Sequence, residues 1–125
     1  MQRCMLRCFV FSLALSVFAA SALAGEADVL AVKIDDLGDR KFRFHVTVEH
    51  EDDGWDHYAD GWQVVGPDGT VLGTRELAHP HVEENPFTRS HVITVPVGIA
   101  EVTVRARDLV HGLGGKEMTV TLPAN

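Results

Sequence analysis

Beyond residue 24 this sequence has no cysteine; its only two, Cys4 and Cys8, stand near the start. Disulfides and thiolate-bound metals are therefore excluded from the rest of the chain. Positive charge is scarce as well. Eleven Lys and Arg face eighteen Asp and Glu, a formal charge of −7. Such a surface disfavours nucleic acid and anionic lipid, which bind through basic patches, and it is compatible with cations. After Gly25 no stretch keeps a helical period for three turns, and no glycine loop leads into a helix as phosphate binding requires. Gly112, Gly114 and Gly115 lie between strands, and Gly114 and Gly115 read as residues for tight turning. Thr88, Ser90 and His91 lack the strand-to-helix elbow of a nucleophilic hydrolase.

What is present begins with a leader. Arg3 and Arg7 precede an apolar run from Phe9 to Ala20, and small residues end in Ala22-Leu23-Ala24. A charged start, an apolar middle and an A-x-A exit predict a secretory signal peptide over residues 1–24, cleaved after Ala24. The run is shorter than the about 20 residues of a membrane-spanning helix. No cysteine follows it to carry a lipid. The expected compartment is the periplasm or the cell exterior, with no membrane attachment after cleavage. Losing Arg3 and Arg7, and no acid, takes the formal charge from −7 to −9. The 101 residues from Gly25 to Asn125 suit one domain.

Alternation of apolar and polar residues runs through that domain, as half-buried strands require. Phe42, Phe44, Val46 and Val48 share one face of a strand over residues 41–50. Further strands are expected over 28–34, 61–65, 70–77, 90–97, 101–107 and 116–122. Gly66-Pro67-Asp68-Gly69 is a hairpin turn. Pro80 and Pro86 bar residues 78–89 from a central strand. Seven short strands in about 100 residues predict an all-β, seven-stranded immunoglobulin- or fibronectin-like β-sandwich, with a small barrel as the alternative. The inward set includes Trp62, Val102, Val104, Val120 and Leu122, with Met118 in the core.

In an up-and-down sandwich the connections alternate between two ends. Loops after the second, fourth and sixth strands carry His50 and His57, His79 and His81, and His111. Loops at the other end carry no histidine. His50 continues the inward phase of Val48, and Asp108 that of Ala106, so both should face the core at one rim. Pro80 biases His79 to an extended form, which places His79 and His81 on one side. Imidazole is the commonest ligand for borderline metals. His50, His57, His79, His81, His111 and Asp108 are thus the candidate metal ligands. Asp52, Asp53, Asp56, Asp60, Glu83 and Glu84 are nearby carboxylates able to ligate or to orient the rings. His45 should point outward, and His91 should be packed at the rim. Trp55 lies in the loop beside the candidate site, placed to shield it or to meet a partner.

The order His50, His57-Tyr58, Trp62 and then Val110-His111-Gly112-Leu113 resembles the superoxide reductase or desulfoferrodoxin type of domain. That family has an immunoglobulin-like sandwich with an iron centre at one end, ligated by four histidines and a cysteine. The resemblance implies ligand roles for His50, His57 and His111. It covers short patches only. Asp108 stands near where the family has its cysteine, and the family's first histidine has no counterpart here.

With imidazole and carboxylate donors, Cu(II), Zn(II), iron and Ni(II) all suit the candidate site, and Cu(I) does not. The leading expectation is a periplasmic metal-binding domain for carriage, buffering or a redox centre, with a periplasmic protein as a further partner. An adhesion-like module for a protein or sugar, in which the histidines are incidental, is the alternative, and a superoxide-reductase-like metalloenzyme the third.

Overall fold

A computed structural model describes residues 25–124. The expected leader, with Cys4 and Cys8, lies outside the described residues. The described chain is all β, without a helix. Its strands are β1 (Asp28–Asp36), β2 (Lys41–Glu49), β3 (Ala59–Val65), β4 (Val71–Glu76), β5 (Phe87–Thr94), β6 (Glu101–Asp108), β7 (Gly112–Leu113) and β8 (Met118–Thr121). They form two antiparallel sheets. One has the order β1-β2-β5; the other runs β4-β3-β6-β7, with β8 also paired to β6. The sheets pack face to face in a sandwich-like arrangement.

The core follows from the alternation. Phe42, Phe44, Val46 and Val48 from β2 face Trp62 and Val64 from β3 and Val102, Val104 and Ala106 from β6, all buried. Burying one such apolar side chain contributes about 1.5–3 kcal/mol relative to leaving it in water. Met118 and Val120 pack at the edge of this cluster, and Leu122 closes it. β3 is central in its sheet, and most of it is buried on both faces. On its outer side the Arg105 Nε donates to Gln63 Oε1 at 2.8 Å. The Arg107 guanidinium bridges Glu76 and Asp60.

Several boundaries differ from expectation. β1 extends to Asp36, two residues further. β5 begins at Phe87 rather than Ser90, because its ladder with β2 continues to the pair Val48–Phe87 and buries the Phe87 ring. It ends at Thr94; Val95 N–H turns to donate to the Arg40 carbonyl at 2.9 Å. The expected seventh strand is β8, shortened to Met118–Thr121, and a two-residue strand, β7, precedes it in the expected loop, so the count is eight. The break falls at Gly114 and Gly115, where the segment leaves the sheet to meet the N-terminal residues. Val29 N–H donates to Lys116 O at 2.8 Å, and Lys116 N–H donates to Asp28 Oδ1 at 2.6 Å. A Cβ on Gly115 would overlap the Ala27 carbonyl, and one on Gly114 would come within 2.9 Å of Glu26 Oε1. Gly115 therefore serves close backbone approach rather than turning.

One end of the sandwich is a latch without histidine. Arg40 donates through Nε to Val95 O and through Nη2 to Pro96 O and Ile99 O, at 3.1, 3.0 and 2.6 Å. The opposite end carries the three loops rich in histidine. His45 is half-buried rather than freely exposed. Its ring nitrogens lie 2.7 Å from Asp35 Oδ2 and 2.7 Å from Ser90 Oγ, since the outer face of this sheet offers polar neighbours. The His91 ring packs edge-on against Trp62, 6.4 Å between centroids.

Candidate metal centre

His50 follows β2 in the same inward phase as Val48, and Asp108 is the last residue of β6 in the phase of Ala106. Both are therefore carried to the rim of the core by regular strand geometry, and both are buried. His57 reaches the same place from the β2–β3 loop. A tight turn with a bridge between Gly54 and His57 holds it there, and Asp53 N–H donates to His57 O at 2.9 Å. One ligand atom from each of His50, His57 and Asp108 lies within 4.8 Å of the other two.

The separations suit a shared ion. His57 Nε2 is 3.4 Å from Asp108 Oδ1, and His50 Nε2 is 3.9 Å from Asp108 Oδ2. The Gly25 carbonyl oxygen sits between the rings, 3.1 Å from His50 Nε2 and 3.3 Å from His57 Nε2. Donors held 2.0–2.1 Å from one ion are about 2.9 Å apart at a right angle and about 3.4 Å apart at the tetrahedral angle. Three of these four contacts fall in or near that interval.

The surrounding hydrogen bonds orient the donors. Asp52 is buried, and its Oδ1 bonds His50 Nδ1 and accepts Ala59 N–H at 3.0 Å. An ionised carboxylate only accepts, so Nδ1 carries the proton and Nε2 is the atom turned toward Gly25 and Asp108. Asp52 Oδ2 accepts His81 N–H at 2.6 Å, which ties the β4–β5 loop to the β2–β3 loop. Asp108 Oδ1 accepts the N–H groups of Val110 and His111 at 2.8 and 2.6 Å. Its Oδ2 has no hydrogen-bond partner, although the side chain is wholly buried. Two buried carboxylates thus flank one buried imidazole, an arrangement that a cation would offset.

The remaining sequence candidates take other positions. His111 is at the exposed side of the cluster, its ring 5.2 Å from that of His57, with Nδ1 3.1 Å from Asp108 Oδ1. It orients Asp108 and borders Gly25. His79 and His81 form a separate pair, 4.7 Å between ring centroids. His81 is buried and stacked on Phe87 at 4.0 Å, joined to the centre only through Asp52. His79 is exposed and bonds the neighbouring Pro80 carbonyl through Nδ1 at 3.2 Å. Trp55 is 67% exposed and touches Tyr58 edge-on. Gly25 has no part in the sequence reading of the site, because a backbone carbonyl leaves no residue-type signal. The only hint is its place directly after the A-x-A exit.

No family model matches this chain, and no solved structure matches it. A protein of Halomicrobium mukohataei described as "Putative lipoprotein" is 50% identical over 95 residues. The match covers 76% of this chain and 47% of that protein, so the chain spans about half the length of the curated relative.

Two predictions arise from this geometry. Asp52→Asn keeps the shape but sets an amide N–H₂ against a donor, either His50 Nδ1–H or His81 N–H. Metal affinity should fall by about 10–100-fold, as for other lost ring-orienting partners; an unchanged titration would show that Asp52 does not position His50. The second concerns pH. Burial pushes the His81 imidazole below its ordinary value, with the charges of Arg89 and His79 adding and those of Asp52 and Glu84 opposing. The unfolded chain then binds more protons than the folded one below the ordinary imidazole value of about 6.5. The His81 contribution to stability should be full above that pH and shrink as pH falls toward the lower folded value. In urea unfolding at pH 7.5, 6.5 and 5.5, His81→Gln should lose less stability on acidification than wild type. Equal losses would remove His81 from the pH dependence.

Proposed function

We propose that this chain is an exported metal-binding domain whose centre is built from His50, His57 and Asp108, with His111 bordering it. A divalent transition metal, carried, buffered or kept as a redox centre, suits this donor set of imidazole nitrogen and carboxylate oxygen. The single observation that carries the reading is Asp108 Oδ2, wholly buried, without a hydrogen-bond partner and 3.9 Å from His50 Nε2. A buried unpaired carboxylate oxygen is costly, and a cation shared with the imidazoles relieves that cost. Export is supported by the residues of the leader and by a relative described as a lipoprotein. The sheet orders β1-β2-β5 and β4-β3-β6-β7, with every pairing antiparallel, support a fibronectin-like form of the sandwich.

The test is metal content and titration of protein purified without a histidine tag. One equivalent of Cu(II) or Zn(II) should bind to wild type and not to His50→Ala/His57→Ala. A second reading is favoured by the exposed apolar residues Trp55, Leu109 and Val110 close to the same rim. In that reading they meet a protein or sugar and the histidines are incidental. Absence of stoichiometric metal from wild type would put this second reading first.

A further inference from the structure

The Gly25 backbone lies among three imidazoles. Its carbonyl oxygen is within 3.3 Å of both His50 Nε2 and His57 Nε2. A Cβ on residue 25 would sit 2.7 Å from His111 Cε1 and 2.8 Å from His111 Nε2, so the third ring packs directly on this residue. The placement is not left to a free end. The Gly114–Lys116 segment grips Glu26 to Val29 through the Lys116 hydrogen bonds and the two glycines that admit the Ala27 carbonyl and the Glu26 carboxylate. Gly25 is itself buried. It is also the residue that cleavage after Ala24 would make the first of the chain.

We propose that removal of the leader after Ala24 completes the metal centre, the freed α-amino nitrogen of Gly25 joining its own carbonyl oxygen as a chelating pair beside His50, His57 and Asp108. This rests on the metal-binding reading above. Nitrogen and carbonyl oxygen of one residue close a five-membered ring on an ion by rotation about Cα–C, a motion glycine allows without steric cost. In the uncleaved chain the residue 25 nitrogen is an amide, its lone pair delocalised into the peptide bond, and it is a poor donor. Export and processing would then switch the site from weak to strong, so the ion is taken up outside the cytoplasm. A terminal amine, imidazoles and a carboxylate together favour Cu(II) among the divalent ions.

The experiment uses the full chain expressed with its own leader and recovered after export. It is compared with a variant carrying one valine inserted between Ala24 and Gly25, each N-terminus read by intact mass. Copper(II) is titrated alone into both and into His50→Ala. Wild type should begin at Gly25 and bind one Cu(II) at least about tenfold more tightly than the insertion variant, since a tethered donor acts at high effective concentration. Wild type labelled with ¹⁵N-glycine serves should the insertion fail to fold. Its Cu(II) electron paramagnetic resonance should show the coupling of one directly bound nitrogen change from that of ¹⁴N to that of ¹⁵N. Equal affinities that still depend on His50, or a spectrum indifferent to the label, overturn this inference and leave the metal site standing. A mature chain that starts elsewhere than Gly25 also overturns it. Absence of stoichiometric Cu(II) from all proteins overturns both readings.

Discussion

At about a hundredfold excess over its dissociation constant, Cu(II) or Zn(II) should raise the melting temperature of the wild-type domain by about 10–20 °C at pH 7.5. The figure combines about 2.7 kcal/mol of linkage with the thermal response of a domain near 100 residues. The rise should be absent from His50→Ala/His57→Ala. Those two rings and Asp108 bring their donor atoms within 4.8 Å of one another, so losing both rings leaves Asp108, the bordering His111 ring and backbone. The metal-induced shift within each protein is the readout, because removing His50 also takes the imidazole partner from the buried Asp52 carboxylate and lowers the starting stability. At pH 5 the wild-type rise should shrink sharply, since imidazole must be neutral to ligate. A rise of equal size in the double variant would move the ion elsewhere, with His79 and His81 the next place to look.

Trp62→Ala should cost about 3–5 kcal/mol. Trp62 is wholly buried on the central strand of its sheet, paired with Ala106 on one side and Arg75 on the other. Deleting its ring loses the transfer energy of the largest fully buried side chain and opens a cavity that two sheets cannot close without moving. The described domain has no cysteine to offset such a loss, and a small domain has a net stability of only about 5–15 kcal/mol. Denaturant unfolding should show the midpoint collapse, with much of the population unfolded at 37 °C if the starting value is low. A loss under about 1.5 kcal/mol would mean that the sheets do repack around the gap.

Much of this molecule was legible from residue order. The 2-residue period of β2 and β6 identified the buried faces, and those faces extend without interruption to His50 and Asp108. That is why two members of the candidate site could be named from phase alone. β1 was harder: a register shift between Val29 and Ala31 reverses its phase part-way, so its burial does not alternate cleanly. The start of β5 was masked by Pro86, whose neighbour Phe87 nevertheless pairs with Val48. The two-part end of the second sheet depends on Gly114 and Gly115 meeting residues almost ninety positions earlier, a contact that no local pattern encodes.

The sequence by itself determined the class of fold, the faces of the long strands, the gathering of five histidines in alternate loops, and the exclusion of thiol chemistry after residue 24. Each is a property of composition or of a short period, and each is decided within a few residues. Only the tertiary structure decided how the histidines divide. It set His50 and His57 against Asp108, turned His81 onto Phe87 behind Asp52, and left His79 to solvent. It also brought Gly25 between the rings. Those outcomes depend on side-chain directions in loops and on a backbone carbonyl, and such positions are fixed by packing between distant segments rather than by residue type.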